Sequence, residues 1–347
     1  MQEGFLPTGK LDADLLAELL AGNRVRDPRV LLGPGVGRDA AVLDMGGGNC
    51  LVAKTDPITF ATEKIGAYAV QVNANDVATL GARPRWFLAT ILLPENAATA
   101  ETAEEIYADI VEACHKLEIE LIGGHTEITG GLDRPIVVGQ MLGEARREEL
   151  ALPEHVRPGD AVLLTKRIAV EGTAILGREL AMPLAQATEL AFPRRCAAFL
   201  EDPGIGVVWD ARIACETGGV HAMHDPTEGG LATGLRELAV ASGCGISVRR
   251  NAIPIYDETL RACEAFRLDP LGLIASGSLL IVAARSAGGQ IATALEKAGI
   301  ECAVIGEMGE RGEPCRMLTS GAGERKLPTF ERDEIARLYA ELDARGE

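Results

Sequence analysis

The alternation of hydrophobic and polar positions predicts a chain of mixed helices and strands. Leucines at helical spacing between residues 11 and 20 predict a short amphipathic helix with Asp12 as its N-cap. A second helix is predicted over residues 102–117, where Thr102 and Glu105 match a capping box. Compact apolar runs predict strands at residues 40–43, 50–55, 86–93, 120–122 and 135–142.

The second half of the chain repeats this mixed pattern after a polar, turn-rich segment at residues 148–160. Strands are predicted at 161–165, 278–283 and 303–306, and helices after Glu171 and at 229–241, 287–298 and 331–344. We therefore expect an α/β (α+β) protein with two domains and a tail. The mixed-sheet N-terminal domain is predicted at residues 1–150, the C-terminal α/β domain at 151–320 and the helical tail at 321–347.

The formal net charge is −17, from 34 Lys and Arg against 51 Asp and Glu. A nucleic-acid groove or an anionic membrane surface needs clustered basic side chains, so we expect neither partner. A single nucleotide is compatible with this charge, since metal ions can bridge its phosphates to carboxylates. The eight Cys include no Cys-x-x-Cys pair, and no apolar run reaches the length of a membrane span, so we expect a reduced, cytoplasmic protein.

Carboxylates recur beside Gly, Asn or the ends of predicted strands in the first half, at residues 37–41, 54–57, 73–76 and 123–127. Mg²⁺ prefers hard oxygen ligands, and carboxylates from separate strand ends can converge on one metal–phosphate group. Nearby glycines allow the backbone to approach such a group closely. Each segment taken alone is also typical of a solvated turn, so the four together indicate a nucleotide site without excluding that interpretation.

The second half contains a similar polar segment at residues 221–230, directly before a predicted helix. Asp225 or Thr227 is expected to cap that helix, and its first amides suit an anion. The pair His221 and His224 lacks a third ligand at metal-binding spacing, so a ligand cleft is favoured over a metal site. The sequence contains no P-loop, dinucleotide fingerprint or Gly-x-Ser-x-Gly motif.

Seven segments together match a known pattern, at residues 38–43, 55–57, 72–84, 123–127, 157–160, 171–176 and 224–230. The most specific is Asn-Asp-x-Ala-x-x-Gly-Ala-x-Pro at residues 75–84. In this order they resemble the superfamily of aminoimidazole ribonucleotide (AIR) synthase, which includes HypE, selenophosphate synthetase and thiamine-monophosphate kinase. The resemblance covers nearly the whole chain and is closest to HypE-like proteins.

The resemblance implies a two-domain fold, a homodimer whose N-terminal domains join their sheets, and ATP held with Mg²⁺ near the subunit interface. Members of the superfamily activate an amide, a thioamide or a similar oxygen of a small acceptor by phosphoryl transfer. Carried over by position, the acids that bind metal and nucleotide are Asp39, Asp56 and Asp76. The other nucleotide-binding residues are Asn73, Gly81, Gly123, Gly124, Thr126 and Thr227. The catalytic candidates are His125, Glu127, Asp225 and Glu228.

Two departures from the family pattern change the expected chemistry. Arg38 stands where many relatives carry a further Asp, which predicts fewer bound metal ions or a guanidinium on a phosphate. HypE dehydrates a thiocarboxamide on its own C-terminal Cys. The last Cys of the present sequence is Cys315, so we expect that this self-modification does not occur.

Three functions remain open at this point. The leading hypothesis is an ATP- and Mg²⁺-dependent enzyme of the AIR synthase/HypE-like group that acts on a small acceptor. The second is a small-molecule kinase resembling thiamine-monophosphate kinase, which would transfer the phosphoryl group outright. The third is a weakly catalytic nucleotide-binding partner in hydrogenase or metallocentre maturation.

Overall fold

Two mixed β-sheets, one from each half of the chain, organise the protein. The computed structural model describes residue 6 and residues 11–35, 38–59, 63–319 and 323–345, so Gly37 of the first acidic segment lies outside the described residues. The strands of the first sheet are β1 (Val30–Leu32), β2 (Ala41–Gly46), β3 (Asn49–Ile58), β4 (Arg83–Pro94), β5 (Glu120–Thr129) and β6 (Ile136–Arg146). The strands of the second sheet are β7 (Ala161–Thr165), β8 (Val220–His224), β9 (Cys244–Arg249), β10 (Leu280–Ala283), β11 (Cys302–Arg311), β12 (Arg316–Thr319) and β13 (Gly323–Lys326).

Hydrogen bonding sets the strand order of each sheet. The first sheet runs β1-β2-β3-β6-β4-β5, and the second runs β13-β12-β9-β11-β7-β10-β8. β5 is therefore an edge strand that pairs in parallel with β4, and β8 is an edge strand that pairs in antiparallel with β10. The predicted α/β architecture is confirmed, whereas the bounds of the domains remain a prediction.

Helices cover both sheets. Within the described ranges they are α1 (Ala13–Ala21), α2 (Ile65–Thr79), α3 (Ala100–Lys116), α4 (Val170–Glu179), α5 (Ala181–Ala187), α6 (Phe192–Ala197), α7 (Val208–Thr217), α8 (Gly230–Ser242), α9 (Asp257–Phe266), α10 (Gly288–Lys297) and α11 (Glu334–Arg345). Among the residues described, no helix combines the length and the apolar character that a membrane crossing requires.

The caps of the first helices show how far local sequence signals reach. Asp12 caps α1 as predicted, because its Oδ1 accepts the backbone N–H groups of Asp14 and Leu15 at 3.0 and 3.2 Å. The predicted capping box at Thr102 is wrong. The N-cap of α3 is Thr99, whose hydroxyl accepts the N–H of Thr102 at 3.1 Å, so the helix begins almost one turn earlier.

α2 packs directly on the first sheet and positions the site. It is buried around most of its circumference and so lacks the apolar stripe that would have predicted a helix here. Glycines in β6 permit the close approach: a Cβ at Gly139 would lie 2.3 Å from the Asn73 amide, and a Cβ at Gly143 would lie 2.3 Å from Val77. The core beneath α2 also contains Leu163 of the second sheet, so one apolar core joins the two halves.

Candidate functional site

A lysine and two aspartates form an ion-paired cluster on the first sheet. Lys54 and Asp56 are two residues apart in β3 and therefore share one face of the strand. α2 lies over that face and supplies Asp76. The Lys54 Nζ atom lies 2.6 Å from Asp76 Oδ2 and 3.3 Å from Asp56 Oδ2. The side chains of Lys54 and Asp76 are only 11% and 10% exposed, so this is a largely buried group of charges.

The second half adds Asp225 to the same cluster. Asp225 follows the end of β8 and is buried. Burial raises the pKa of Asp225 to about 7. The charges of His224 and Lys54 oppose this rise, and the charge of Asp39 adds to it. Burial likewise raises the pKa of Asp76, which the Asp225 carboxylate reinforces and Lys54 opposes. Carboxylates from both halves of the chain therefore face each other around Lys54.

His224 completes this cleft on the side of the second sheet. Its Nε2 lies 2.8 Å from Glu237 Oε2 on α8. Burial lowers the pKa of His224, but Glu237, Asp225 and Asp39 together raise it above its ordinary value. His221 instead pairs through Nδ1 with Asp160 Oδ2 at 2.7 Å, so the two histidines have separate carboxylate partners.

The start of α8 differs from the sequence prediction. Its N-cap is Gly229 in the left-handed conformation, and the expected cap by Asp225 or Thr227 is wrong. The Gly229 N–H, one of the amides expected to suit an anion, donates to Asp333 Oδ2 at 2.8 Å. Burial raises the pKa of Asp333 to about 6, although its hydrogen bonds from the backbone of Ile335 and Gly229 oppose the rise. A carboxylate of the chain itself thus occupies the position predicted for an anionic ligand.

A second group of carboxylates surrounds the start of α8. Glu171 at the start of α4 has a pKa raised to about 7 by burial. A hydrogen bond from Ser276 lowers this pKa, and the charges of Glu228 and Asp333 raise it. The predicted residue Glu228 is thus one of several acids here, and Glu171 and Asp333 were not predicted as site residues. No local signal in the sequence marks Asp333.

Asn73 and Gly81 have structural places beside the cluster. Asn73 is fully buried, and its Nδ2 donates to the backbone carbonyls of Asp56 at 3.2 Å and Ala69 at 2.8 Å. Asn73 therefore orients the strand that carries Asp56. Gly81 has a φ of 77°, and a Cβ there would lie 2.5 Å from the Glu149 carbonyl oxygen. Their roles in nucleotide binding remain predictions.

The last predicted motif does not join the cluster. Gly123, Gly124, His125, Thr126 and Glu127 were expected to follow the strand predicted at residues 120–122, but they lie inside that strand, the exposed edge strand β5. Two strands separate β5 from β3, which corresponds to about 14 Å across the sheet. The motif borders a cavity of about 430 Å³ between α3 and the β4–β5 edge.

The catalytic candidates of β5 pair with each other. His125 Nε2 lies 3.4 Å from Glu127 Oε2, and the Thr129 hydroxyl donates to Glu127 Oε1 at 2.8 Å. These hydrogen bonds lower the pKa of Glu127 below its ordinary value. Glu127 is thus an ionised surface carboxylate, unlike the buried Asp225.

The predicted magnesium ligands do not form a ready metal site. Carboxylates are suitable ligands, but Asp56 and Asp76 are both ion-paired with Lys54, and Asp39 is exposed. No group of three or more His, Cys, Asp or Glu side chains in the described part of the chain could hold a metal ion. Arg38, the expected extra cation, donates to the Gly33 carbonyl at 3.1 Å. The arrangement therefore fits a lysine-neutralised cluster better than a three-carboxylate metal centre.

Comparison with known families agrees with this fold. Residues 37–145 match the N-terminal domain of AIR synthase related proteins, and residues 157–315 match the C-terminal domain of the same family. These two matches cover more than half of the chain, so it belongs to the AIR synthase-related family.

Within this family the chain is HypE-like. It is 29% identical over 312 residues to the carbamoyl dehydratase HypE of Cupriavidus necator, which is 87% of this chain and 86% of that protein. The crystal structure of the hydrogenase maturation protein HypE in complex with ATP is similar with a TM-score of 0.69 at 26% identity, over 84% of this chain and 88% of that one. AaThiL complexed with AMPPCP and TMP has a TM-score of 0.69 at 21% identity over 92% and 94% of the two chains, which shows a likeness of fold alone.

Proposed function

We propose that the protein is an ATP-dependent enzyme that activates the amide, thioamide or similar oxygen of a small acceptor by phosphoryl transfer. The observation that carries this proposal is the convergence of Lys54 and Asp76 from the first half with Asp225 from the second half. The likeness to HypE in complex with ATP supports ATP as the phosphoryl donor. The likeness of this chain to a carbamoyl dehydratase supports an acceptor of the amide class. The likeness to a hydrogenase maturation protein supports a place in that process.

The residues of the cleft suit both the phosphoryl transfer and the proton transfer of such a reaction. Phosphoryl transfer depends mainly on positioning and on neutralising charge, and the Lys54 ammonium can contact a phosphate oxygen. The acceptor oxygen would attack the γ-phosphorus while the bond to ADP breaks. Asp225, with a pKa of about 7, can accept the proton that the amide nitrogen loses at neutral pH. Loss of phosphate, which takes the remaining N–H proton with it, then gives the dehydrated product.

We expect Mg²⁺ to enter with the phosphates of ATP, and we assign it no preformed carboxylate site. This follows from the ion pairs of Asp56 and Asp76 with Lys54. The roles proposed for Lys54 and Asp225 do not depend on the metal. The glycines and Thr227 assigned to nucleotide binding remain part of the proposal.

A homodimer is part of the same proposal. β5 is an edge strand, and its Ile122 and Ile128 side chains are 53% and 66% exposed. An exposed strand edge is a template for pairing with a second copy. The strand register aligns Asp56 with Gly139, Gly139 with Ala89, and Ala89 with Gly124 across the sheet. Pairing along β5 would therefore continue the row that begins at Asp56 into the second copy, with the residue 123–127 motif of each copy at the interface.

The test is to measure ADP release and product formation with ATP across a panel of carboxamides, thioamides and small phosphate esters. ADP with inorganic phosphate and a dehydrated or cyclised acceptor is the expected result. A stable phosphorylated acceptor would instead favour the small-molecule kinase. ATP binding without turnover would favour a nucleotide-binding partner protein. Absence of ATP binding would contradict the whole proposal.

A further inference from the structure

Lys54 lies where the family resemblance predicts that metal-binding carboxylates meet. It projects from β3 beside Asp56, and α2 closes over it with Asp76. The Lys54 side chain is 11% exposed, so its charge is largely removed from water. Burying an ammonium is unfavourable unless it is paired, and here both partners are residues that the resemblance assigns to metal binding.

The geometry of an ammonium suits this position. The Lys54 Nζ atom contacts Asp76 Oδ2 at 2.6 Å and Asp56 Oδ2 at 3.3 Å. An ammonium has three N–H donors, and these two carboxylates account for two of them. Mg²⁺ is instead held by one or two carboxylates together with waters and phosphate oxygens at about 2.0–2.1 Å. Here the Lys54 ammonium already pairs with both carboxylates.

The surrounding negative charges favour a cation at this position. Asp56, Asp76 and Asp225 are neighbours of Lys54, and Asp39 adds a further negative charge nearby. His224 also interacts with the Asp225 carboxylate, but it is already hydrogen-bonded to Glu237. Removing the Lys54 charge would therefore leave carboxylates facing one another in a partly buried cleft, which is the condition under which proteins bind divalent cations.

We propose that Lys54 replaces one divalent cation in this site. It holds Asp56 and Asp76 together before the nucleotide arrives, and its third N–H is available to a phosphate oxygen of bound ATP. The second part rests on the proposed function, whereas the replacement of a metal ion does not. Nucleotide binding then requires one divalent ion fewer than a carboxylate-only site would require.

The decisive experiment measures Mn²⁺ binding without nucleotide, by electron paramagnetic resonance of the free ion. Wild type and Lys54→Arg are expected to bind no Mn²⁺ at the cluster, because each retains a positive charge there. Lys54→Met is expected to gain one Mn²⁺ per chain, and Lys54→Met/Asp76→Asn is expected to lose it again. Mn²⁺ should also raise the Tm of Lys54→Met while leaving the Tm of wild type unchanged.

Two results would overturn the proposal. One is a Mn²⁺ site in wild type that Asp76→Asn removes, and this measurement does not depend on the folding of Lys54→Met. The other is a folded Lys54→Met that gains no Mn²⁺. Equilibrium dialysis of wild type with an ATP analogue tests the proposed function separately, so a failure of ATP binding is distinguishable from a failure of the metal replacement.

Discussion

The cleft around Lys54 and the edge strand β5 both carry motifs of one family, yet the fold buries the first and exposes the second. In the cleft, Asp76 and Asp225 are buried and come from different halves of the chain. On β5, His125 and Glu127 are exposed and contact each other. The cleft is thus assembled within one chain, whereas the β5 motif is presented outward. Motifs of one family can therefore lie in a buried cleft or on an exposed strand edge of the same chain.

The largest expected effect comes from the cleft. Asp76→Asn removes a charge that helps to hold Lys54, and we expect kcat/KM for ATP to fall by roughly 10²–10³-fold, as for other preorganised electrostatic groups. ADP release measured at saturating acceptor checks this. The matched control is Asp133→Asn, which changes an exposed aspartate paired with Arg134. Wild-type turnover by Asp76→Asn would show that the cleft is not the catalytic region.

The next effect tests the outward-facing half of the comparison. Ile122→Lys/Ile128→Lys places like charges along a paired β5 edge, and we expect dimer association to weaken by about 10²-fold, since such juxtaposition costs several kcal/mol. Light scattering coupled to size-exclusion chromatography measures the mass. The control is Val240→Lys, at a residue of α8 that is 83% exposed. If the monomeric variant kept full ATP turnover, the site would not depend on pairing along β5.

The smallest expected effect concerns Glu171 and the dependence of stability on pH. The folded pKa of Glu171 is raised to about 7, above the ordinary 4.5, so the folded state holds its proton more tightly than the unfolded state. The free energy of unfolding therefore falls as pH rises from about 4.5 to about 7. Glu171→Gln should remove about 2 kcal/mol of this fall, measured by urea unfolding across that range. Glu179→Gln, on the exposed side of α4, is expected to keep the wild-type slope.

Local patterns predicted most of the fold. Asp12 and the leucine stripe predicted α1, and apolar runs predicted β2, β3 and β4. α2 was missed because it is buried on most sides and shows no amphipathic period. The end of β5 was missed because Gly123 and Gly124 are typical of turns, whereas here Gly124 allows close packing against the Ala89 carbonyl.

The site was predicted less completely than the fold. The motifs predicted Asp56, Asp76 and Asp225 but not the role of Lys54. The spacing of two residues between Lys54 and Asp56 in a strand already implied a shared face. The expected extra cation was Arg38, which instead contacts the Gly33 carbonyl. The hydrogen bond from the Gly229 N–H to Asp333 joins residues 104 positions apart, so no local pattern could indicate it.

The sequence by itself determined the family, the α/β class and the set of acidic segments, because these depend on residue order and on local periodicity. Only the tertiary structure decided which charges meet. Lys54, Asp76 and Asp225 come together because α2 packs between β3 and the end of β8. A sequence does not show whether an aspartate is solvated or buried against a lysine. Tertiary packing decides this, because packing determines whether water reaches the carboxylate.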